Sequence, residues 1–133
     1  MSGMRTTELT VSGQPITKKN SQRLIYAKGR IIPIPSAQFK IYEAAALRQL
    51  YLQYVGEPIQ YPVNLSCVFY MGSRRKCDIT NLLQSIQDIL VKAKVLADDN
   101  YTIVARLDDC RVDYDKADPR CEITITELLP FEE

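Results

Sequence analysis

A chain of 133 residues, 46% hydrophobic and 25% charged, is sized and composed for one soluble globular domain, 1–133, with a single core. Histidine is absent, which excludes a Ser-His-Asp triad, a Cys-His pair, His-ligated zinc and a histidine general base. The net charge of +1 hides a division: residues 1–76 hold 11 Lys/Arg against 3 Asp/Glu, and residues 77–133 hold 6 against 13.

In chain order, residues 8–11 can start a strand, and Ser12-Gly13-Gln14-Pro15 ends it. Lys18 to Arg23 reads as a polar, basic loop. Leu24-Ile25-Tyr26 and Ile31-Ile32 flank Ala27-Lys28-Gly29-Arg30, which predicts a short hairpin with glycine at the turn, stopped by Pro33 and Pro35. Ser36 is a good N-cap for a helix to about Val55, with Phe39, Tyr42, Ala46, Leu50 and Tyr54 near helical spacing. From Val63 to Met71, alternate residues are apolar, which predicts a strand with Val63, Leu65, Cys67, Phe69 and Met71 on one face.

The clearest helix follows Asp78. Leu82, Leu83, Ile86, Ile89, Leu90 and Ala93 form one apolar stripe, and Gln84, Ser85, Gln87, Asp88 and Lys92 take the other face. Residues 101–107 read as a strand, 108–119 as turn or irregular chain, and 120–128 as the last strand, with Ile123 and Ile125 inward. This order predicts an α+β (α/β mixed) fold, one mixed sheet packed against two main helices. No apolar run approaches the ~20 residues of a membrane span, and residues 1–11 lack an apolar signal region, so a cytoplasmic location is expected. The four cysteines have no CxxC spacing, which points to buried reduced thiols.

Without histidine, an enzyme of this composition works through carboxylates, lysines, tyrosines or an oxygen-held metal. Asp78 precedes the second helix, and Asp98-Asp99 follow it. Helix 82–92 rises roughly 15 Å, and the five steps from Ala93 to Asp98 reach up to roughly 17 Å. A chain doubling straight back along the helix could therefore join them, but spacing does not require it. Clustered carboxylates repel and need a cation, and magnesium suits aspartate oxygens. On the simpler reading, Asp78 or Thr80 is an N-cap and Asp98-Asp99-Asn100 a polar turn. Lys18-Lys19 with Arg23, and Arg74-Arg75-Lys76 beside Asp78, could meet DNA phosphates or be solvated loops. Asp108, Asp109, Asp113, Asp115 and Asp118 do not match a calcium loop, although Asp115 beside Lys116 could approach the site.

The segment Arg75-Lys76-Cys77-Asp78-Ile79-Thr80-Asn81-Leu82, then Asp88-Ile89-Leu90, Lys92-Ala93 and Leu96-Ala97-Asp98-Asp99, resembles the RusA family of Holliday junction endonucleases. Lys18-Lys19-Asn20-Ser21 and the last strand from Arg120 to Ile125 are also similar to that family. The resemblance implies a small homodimer, magnesium dependence with manganese as substitute, and cutting of branched, four-way DNA in recombination and repair. Carried over, the metal positions are Asp78 and Asp99 with Asp98 adjacent, and the catalytic set adds Thr80. Thr80 stands where the family has a second aspartate, as in a phage branch with Asp-x-Thr-Asn, and Gln84 where it has a lysine. Lys116, Lys76 or Lys18 could replace that lysine, and Asp98 or Asp115 that carboxylate. The alternatives are a branched-DNA-binding protein without catalysis and a metal-dependent nuclease for other DNA structures.

Overall fold

The computed structural model describes residues 5–18, 23–34 and 36–129. Its elements are β1 (Thr6–Ser12), β2 (Arg23–Ala27), β3 (Arg30–Ile34), α1 (Ala37–Gln53), β4 (Val63–Met71), α2 (Ile79–Lys92), β5 (Val104–Arg106), β6 (Arg111–Tyr114) and β7 (Arg120–Glu127). The main sheet runs β1-β7-β4-β5, with β6 also paired to β4. β7 is antiparallel to both β1 and β4, while β5 and β6 are parallel to β4. The sheet is therefore mixed, and with its two helices the architecture is the α+β one expected.

The alternation in β4 does what its spacing requires: Val63, Leu65, Cys67, Phe69 and Met71 are all buried. With Leu9 and Val11 of β1 and Cys121, Ile123 and Ile125 of β7 they form the sheet side of the core. α2 supplies the opposite wall with Leu82, Leu83, Ile86, Ile89 and Leu90. Ser85, placed on the polar face by its chemistry, is instead buried, and its Oγ accepts the Lys18 backbone N–H at 3.0 Å. That bond ties the basic N-terminal loop to the middle of α2. All four cysteines are free thiols, with Cys67 and Cys121 buried.

α1 starts as expected, Ser36 Oγ accepting from Phe39 N at 3.0 Å. Phe39, Tyr42, Ala46 and Leu50 face the core, while Ile41, Leu52 and Val55 are exposed. Gln53 bonds both backbone groups of Thr10 (2.8 and 2.7 Å), and Gln49 those of Ser12 (2.7 and 3.3 Å). Two amides thus cover the open edge of β1, which would otherwise be a template for further pairing.

The hairpin turn has Lys28 and Gly29 at φ 51° and 76°, the two positive angles of a type I′ turn. β3 continues through Pro33, paired with Leu24. Proline is tolerated there because, among the described residues, this sheet has two strands and each is an edge.

The stretch 101–114 differs from its sequence reading. Residues 101–103 form a turn, β5 is only three residues long, and β6 lies where irregular chain was expected. Between them Asp109 adopts φ 66° and breaks the strand. Side chains of β4 fill the gap in the ladder. Asn64 Nδ2 donates to Asp108 O (3.3 Å), its Oδ1 accepts from Asp108 N (2.8 Å), and Ser66 Oγ donates to Asp109 O (3.1 Å). One edge strand is in effect interrupted by a left-handed residue and stitched across it.

α2 ends in a Schellman motif. Val95 N donates to Leu90 O (3.0 Å) and Lys94 N to Val91 O (3.1 Å), with Lys94 left-handed at φ 62°. A lysine there carries a Cβ penalty that glycine avoids. Lys94→Gly should therefore raise stability by about 1 kcal/mol, read as a rise of a few degrees in melting temperature. A fall would mean that the Lys94 side chain contributes more than its backbone costs.

Candidate metal and DNA site

Asp78 occupies the N-cap position of α2 in extended backbone (φ −86°, ψ 136°). An aspartate there ordinarily accepts an N–H of the first turn, but this one makes no side-chain cap bond. Its backbone carbonyl takes Asn81 N and Leu82 N, both at 3.1 Å, and its Oδ2 lies 3.5 Å from Asn81 Nδ2. The carboxylate is little engaged, so capping does not account for it.

Around Asp78 the C-terminal end of β4 gathers positive charge. Arg75 and Lys76 are exposed in the preceding loop, and Arg74 stacks on Tyr114, 4.7 Å from the ring centroid. Arg75, Lys76 and Cys77 share one cavity of about 150 Å³ with Gln14, Ile16, Thr17 and Met71. Lys18 follows Thr17. Lys116, exposed, belongs to the β6–β7 turn, which joins the same end through Asp115 N to Met71 O at 2.9 Å. That turn sits against Gly72, where an added Cβ would lie 2.5 Å from Pro119 Cγ. Arg23 opens β2. Lys19 lies outside the described residues.

Asp115 does not stand ready as a spare ligand. Its Oδ2 takes Arg120 Nη1 at 2.9 Å, and that bond holds its carboxyl below the usual range. Arg120 also binds Glu122 (2.9 Å) and Asp118 (3.5 Å), and lies 3.8 Å over the Tyr70 ring. Its pKa is raised, chiefly by Glu122 and then by Asp115. No sequence signal marks this arginine for that role, because its place at the first residue of β7, aimed back across the turn, depends on strand register.

The second acidic group lies elsewhere. After the Schellman turn, Val95 and Leu96 are buried and run beside Ile59, with Ile59 N to Val95 O at 2.9 Å and Ala97 N to Ile59 O at 3.0 Å. Asp98-Asp99 therefore project just before β5, beside the start of β4, while Asp78 lies past the end of β4. They stand at opposite ends of a 14-residue helix, about 20 Å long. The doubling back that would join them in one chain does not occur. Among the described residues, no three Cys, Asp or Glu side chains close into a metal-binding group.

Asp98 and Asp99 are not equivalent. Asp98 Oδ1 accepts Asp99 N (2.7 Å) and its Oδ2 accepts Asn100 Nδ2 (3.0 Å), so the turn occupies both oxygens and lowers its pKa, the Asp99 backbone N–H most of all. Asp99 is raised, first by desolvation, then by Asp98, with the charge of Asp88 adding to it. In the sequence Asp88 is only part of a spacing pattern. Its place three turns into α2 brings its charge within reach of the Asp98-Asp99 turn. Asp98 and Asp99 are both exposed, and carboxylate oxygens are the hard donors that magnesium takes, so the residues present fit that ion in kind. Thr80 and Gln84 are both exposed on the solvent side of α2.

Residues 12–126 match the family model described as Endodeoxyribonuclease RusA. Over 100 residues the chain is 35% identical to the crossover junction endodeoxyribonuclease RusA of Aquifex aeolicus (strain VF5), covering 75% of this chain and 77% of that protein.

Proposed function

The chain belongs to the RusA family of endodeoxyribonucleases, and we propose that it resolves Holliday junctions as a homodimer, with magnesium held by Asp78 of one copy and Asp99 of the other, Asp98 shaping the turn beside Asp99. The observation that carries this reading is Asp78 itself, a carboxylate at the head of α2, not engaged in capping, next to Arg74-Arg75-Lys76. Manganese would serve in place of magnesium.

Each residue has a separate task. Asp78 and Asp99 offer carboxylate oxygens, and the first-turn N–H groups of α2 favour a phosphate beside Asp78. Arg75, Lys76, Lys18 and Lys116 hold the backbone on either side of the scissile bond, and none of them reads base sequence by such contacts. Arg74, steadied on Tyr114, presents its guanidinium in a fixed plane suited to phosphate. When bound, the ion supplies a Lewis acid for the phosphoryl oxygen and lowers the pKa of its water. Thr80 gives a neutral hydroxyl where a carboxylate would add charge. The family's lysine is absent at Gln84, so the site is lighter by one anion and one cation together. Of Lys18, Lys76 and Lys116, Lys76 lies nearest Asp78 in the chain and would take over that positive charge.

Incubation with a synthetic four-way junction and magnesium should give paired nicked duplexes, and chelation should stop it. Linear duplex and flap should be cut far more slowly. Equal cutting of all three would reassign the substrate, and no cutting with either magnesium or manganese would remove the catalytic reading.

The basic run makes a quantitative prediction. Replacing Arg74, Arg75 and Lys76 by alanine should weaken junction binding for every sequence alike. The slope of log K against log salt should become shallower by about 2 to 3, near 0.9 for each phosphate that is no longer neutralised. An unchanged slope would place these cations away from the DNA.

A further inference from the structure

The cavity beside Asp78 is not built like a phosphate or ion site. Its lining is largely apolar, from Pro15, Ile16, Met71 and Cys77, with Pro15 and Met71 buried. Its rim is polar and basic, and Ser73, Arg75 and Lys76 there are exposed. Its volume of about 150 Å³ is that of a cavity able to take one small aromatic ring, and a methionine thioether packs well on such a ring. One polar group is set in advance. Gly72 N donates to Gln14 Oε1 at 2.6 Å, which fixes the oxygen end of that amide. Gln14 Nε2 has Pro15 O at 3.4 Å and Met71 Sδ at 4.0 Å, both longer than the roughly 2.7–3.2 Å of a good N–H···O bond. It is a donor beside the cavity whose present acceptors are weak.

We propose that this cavity receives a nucleobase turned out of the stack at the branch point of the DNA, and that the capture separates branched DNA from linear duplex. It deepens the reading of the chain as a junction-cutting nuclease and rests on it. A base offers the two things that the lining asks for: a flat ring for Met71 and Ile16, and an acceptor for Gln14 Nε2, which every base carries. The rim supplies the rest, because Arg75 and Lys76 meet the phosphates on either side of that base. Cys77 in the wall is the neighbour of Asp78, about 3.8 Å away along the chain. A base seated there therefore brings its own phosphate to the head of α2. Turning a base out of linear duplex breaks its pair and its stacking on both sides. At a branch point the stack is already interrupted, so the same step costs less. Backbone contacts alone would not make that distinction, since phosphates line both kinds of DNA.

The test uses the full chain in EDTA, with 2-aminopurine placed next to the branch point of a four-way junction or within a linear duplex. This base brightens when it leaves the stack. Wild-type protein should brighten it in the junction and not in the duplex. Ser73→Leu narrows the cavity from its rim, and Gln38→Leu does so from the start of α1. Both positions are exposed, so melting temperatures should hold. Each variant should abolish the brightening and weaken junction binding by about 10-fold, the scale of one stacked base, with duplex binding unchanged. Ser73→Ala should bind as the wild type does. If the wild type cuts junctions without brightening the base, or if the folded leucine variants keep both the brightening and the junction affinity, the base pocket is overturned and the junction reading stands. Equal losses on junction and duplex would also overturn it, by making the cavity a general backbone contact. Wild-type protein that binds junction and duplex alike removes the junction reading and the role of the cavity with it.

Discussion

Asp78→Asn should reduce junction cutting by more than about 100-fold and leave junction binding intact or tighter. Loss of a group that merely supports a metal ligand already costs about 10- to 100-fold, and this change removes the charge of the proposed ligand itself. Binding should not suffer, because one negative charge beside the phosphates has gone while Arg75 and Lys76 remain. The fold should not suffer either. The start of α2 depends on the Asp78 backbone carbonyl, which accepts Asn81 N and Leu82 N, and not on its carboxylate. Asp78→Ala separates this from a structural role. A true N-cap would lose about 1 kcal/mol on truncation to alanine, whereas the geometry here predicts no measurable change in melting temperature. Cleavage assays, gel shifts and thermal melts on both variants decide the matter. A lowered melting temperature in the alanine variant, with cutting retained in the asparagine one, would return Asp78 to the status of a cap.

What could be read from the chain depended on how local the deciding interaction was. The stripe of α2 and the alternation of β4 are local, and both elements form where the pattern places them. Ser36 as a cap and the Lys28-Gly29 turn are also set by neighbours a few residues away. β6 was hidden because Asp109 interrupts the edge strand, and what restores the ladder is Asn64 and Ser66, more than 40 residues earlier. Ser85 looked like a surface residue because its partner, the Lys18 backbone, is equally distant. In α1 the positions at helical spacing, Phe39, Tyr42, Ala46 and Leu50, are the buried ones, although Ile41 and Leu52 leave apolar side chains on the exposed face.

The candidate site shows the same division. The residues proposed to bear its chemistry are ones the sequence singled out, but the distance between Asp78 and Asp99 was set by the pairing of Leu96 with Ile59, which no spacing within the motif encodes. Asp115 was a reasonable spare ligand until the register of β7 brought Arg120 onto it.

Ile89→Ala should destabilise the protein by about 2 to 5 kcal/mol, the range for deleting a buried isoleucine side chain down to alanine. Ile89 has no exposed surface, sits in the middle of α2 and belongs to the main core cluster. Against a total stability of about 5–15 kcal/mol this is a large fraction, and it should lower the melting temperature by roughly 10 °C or more. Gln84→Ala, on the exposed side of the same helix, should change it by no more than about 1–2 °C, since surface substitutions stay near ±0.5 kcal/mol. The activity of the two variants is the sharper contrast. α2 carries Asp78 at one end and leads to Asp99 at the other, so loosening its buried face disturbs the placing of both. Ile89→Ala should therefore lose cutting at temperatures well below its own midpoint, where circular dichroism still reports a folded chain. Asp78→Asn should be inactive at every temperature while melting like the wild type. If Ile89→Ala cuts normally up to its own melting transition, the site tolerates movement of α2, and the rigidity of that helix is not what sets the geometry of its two acidic ends.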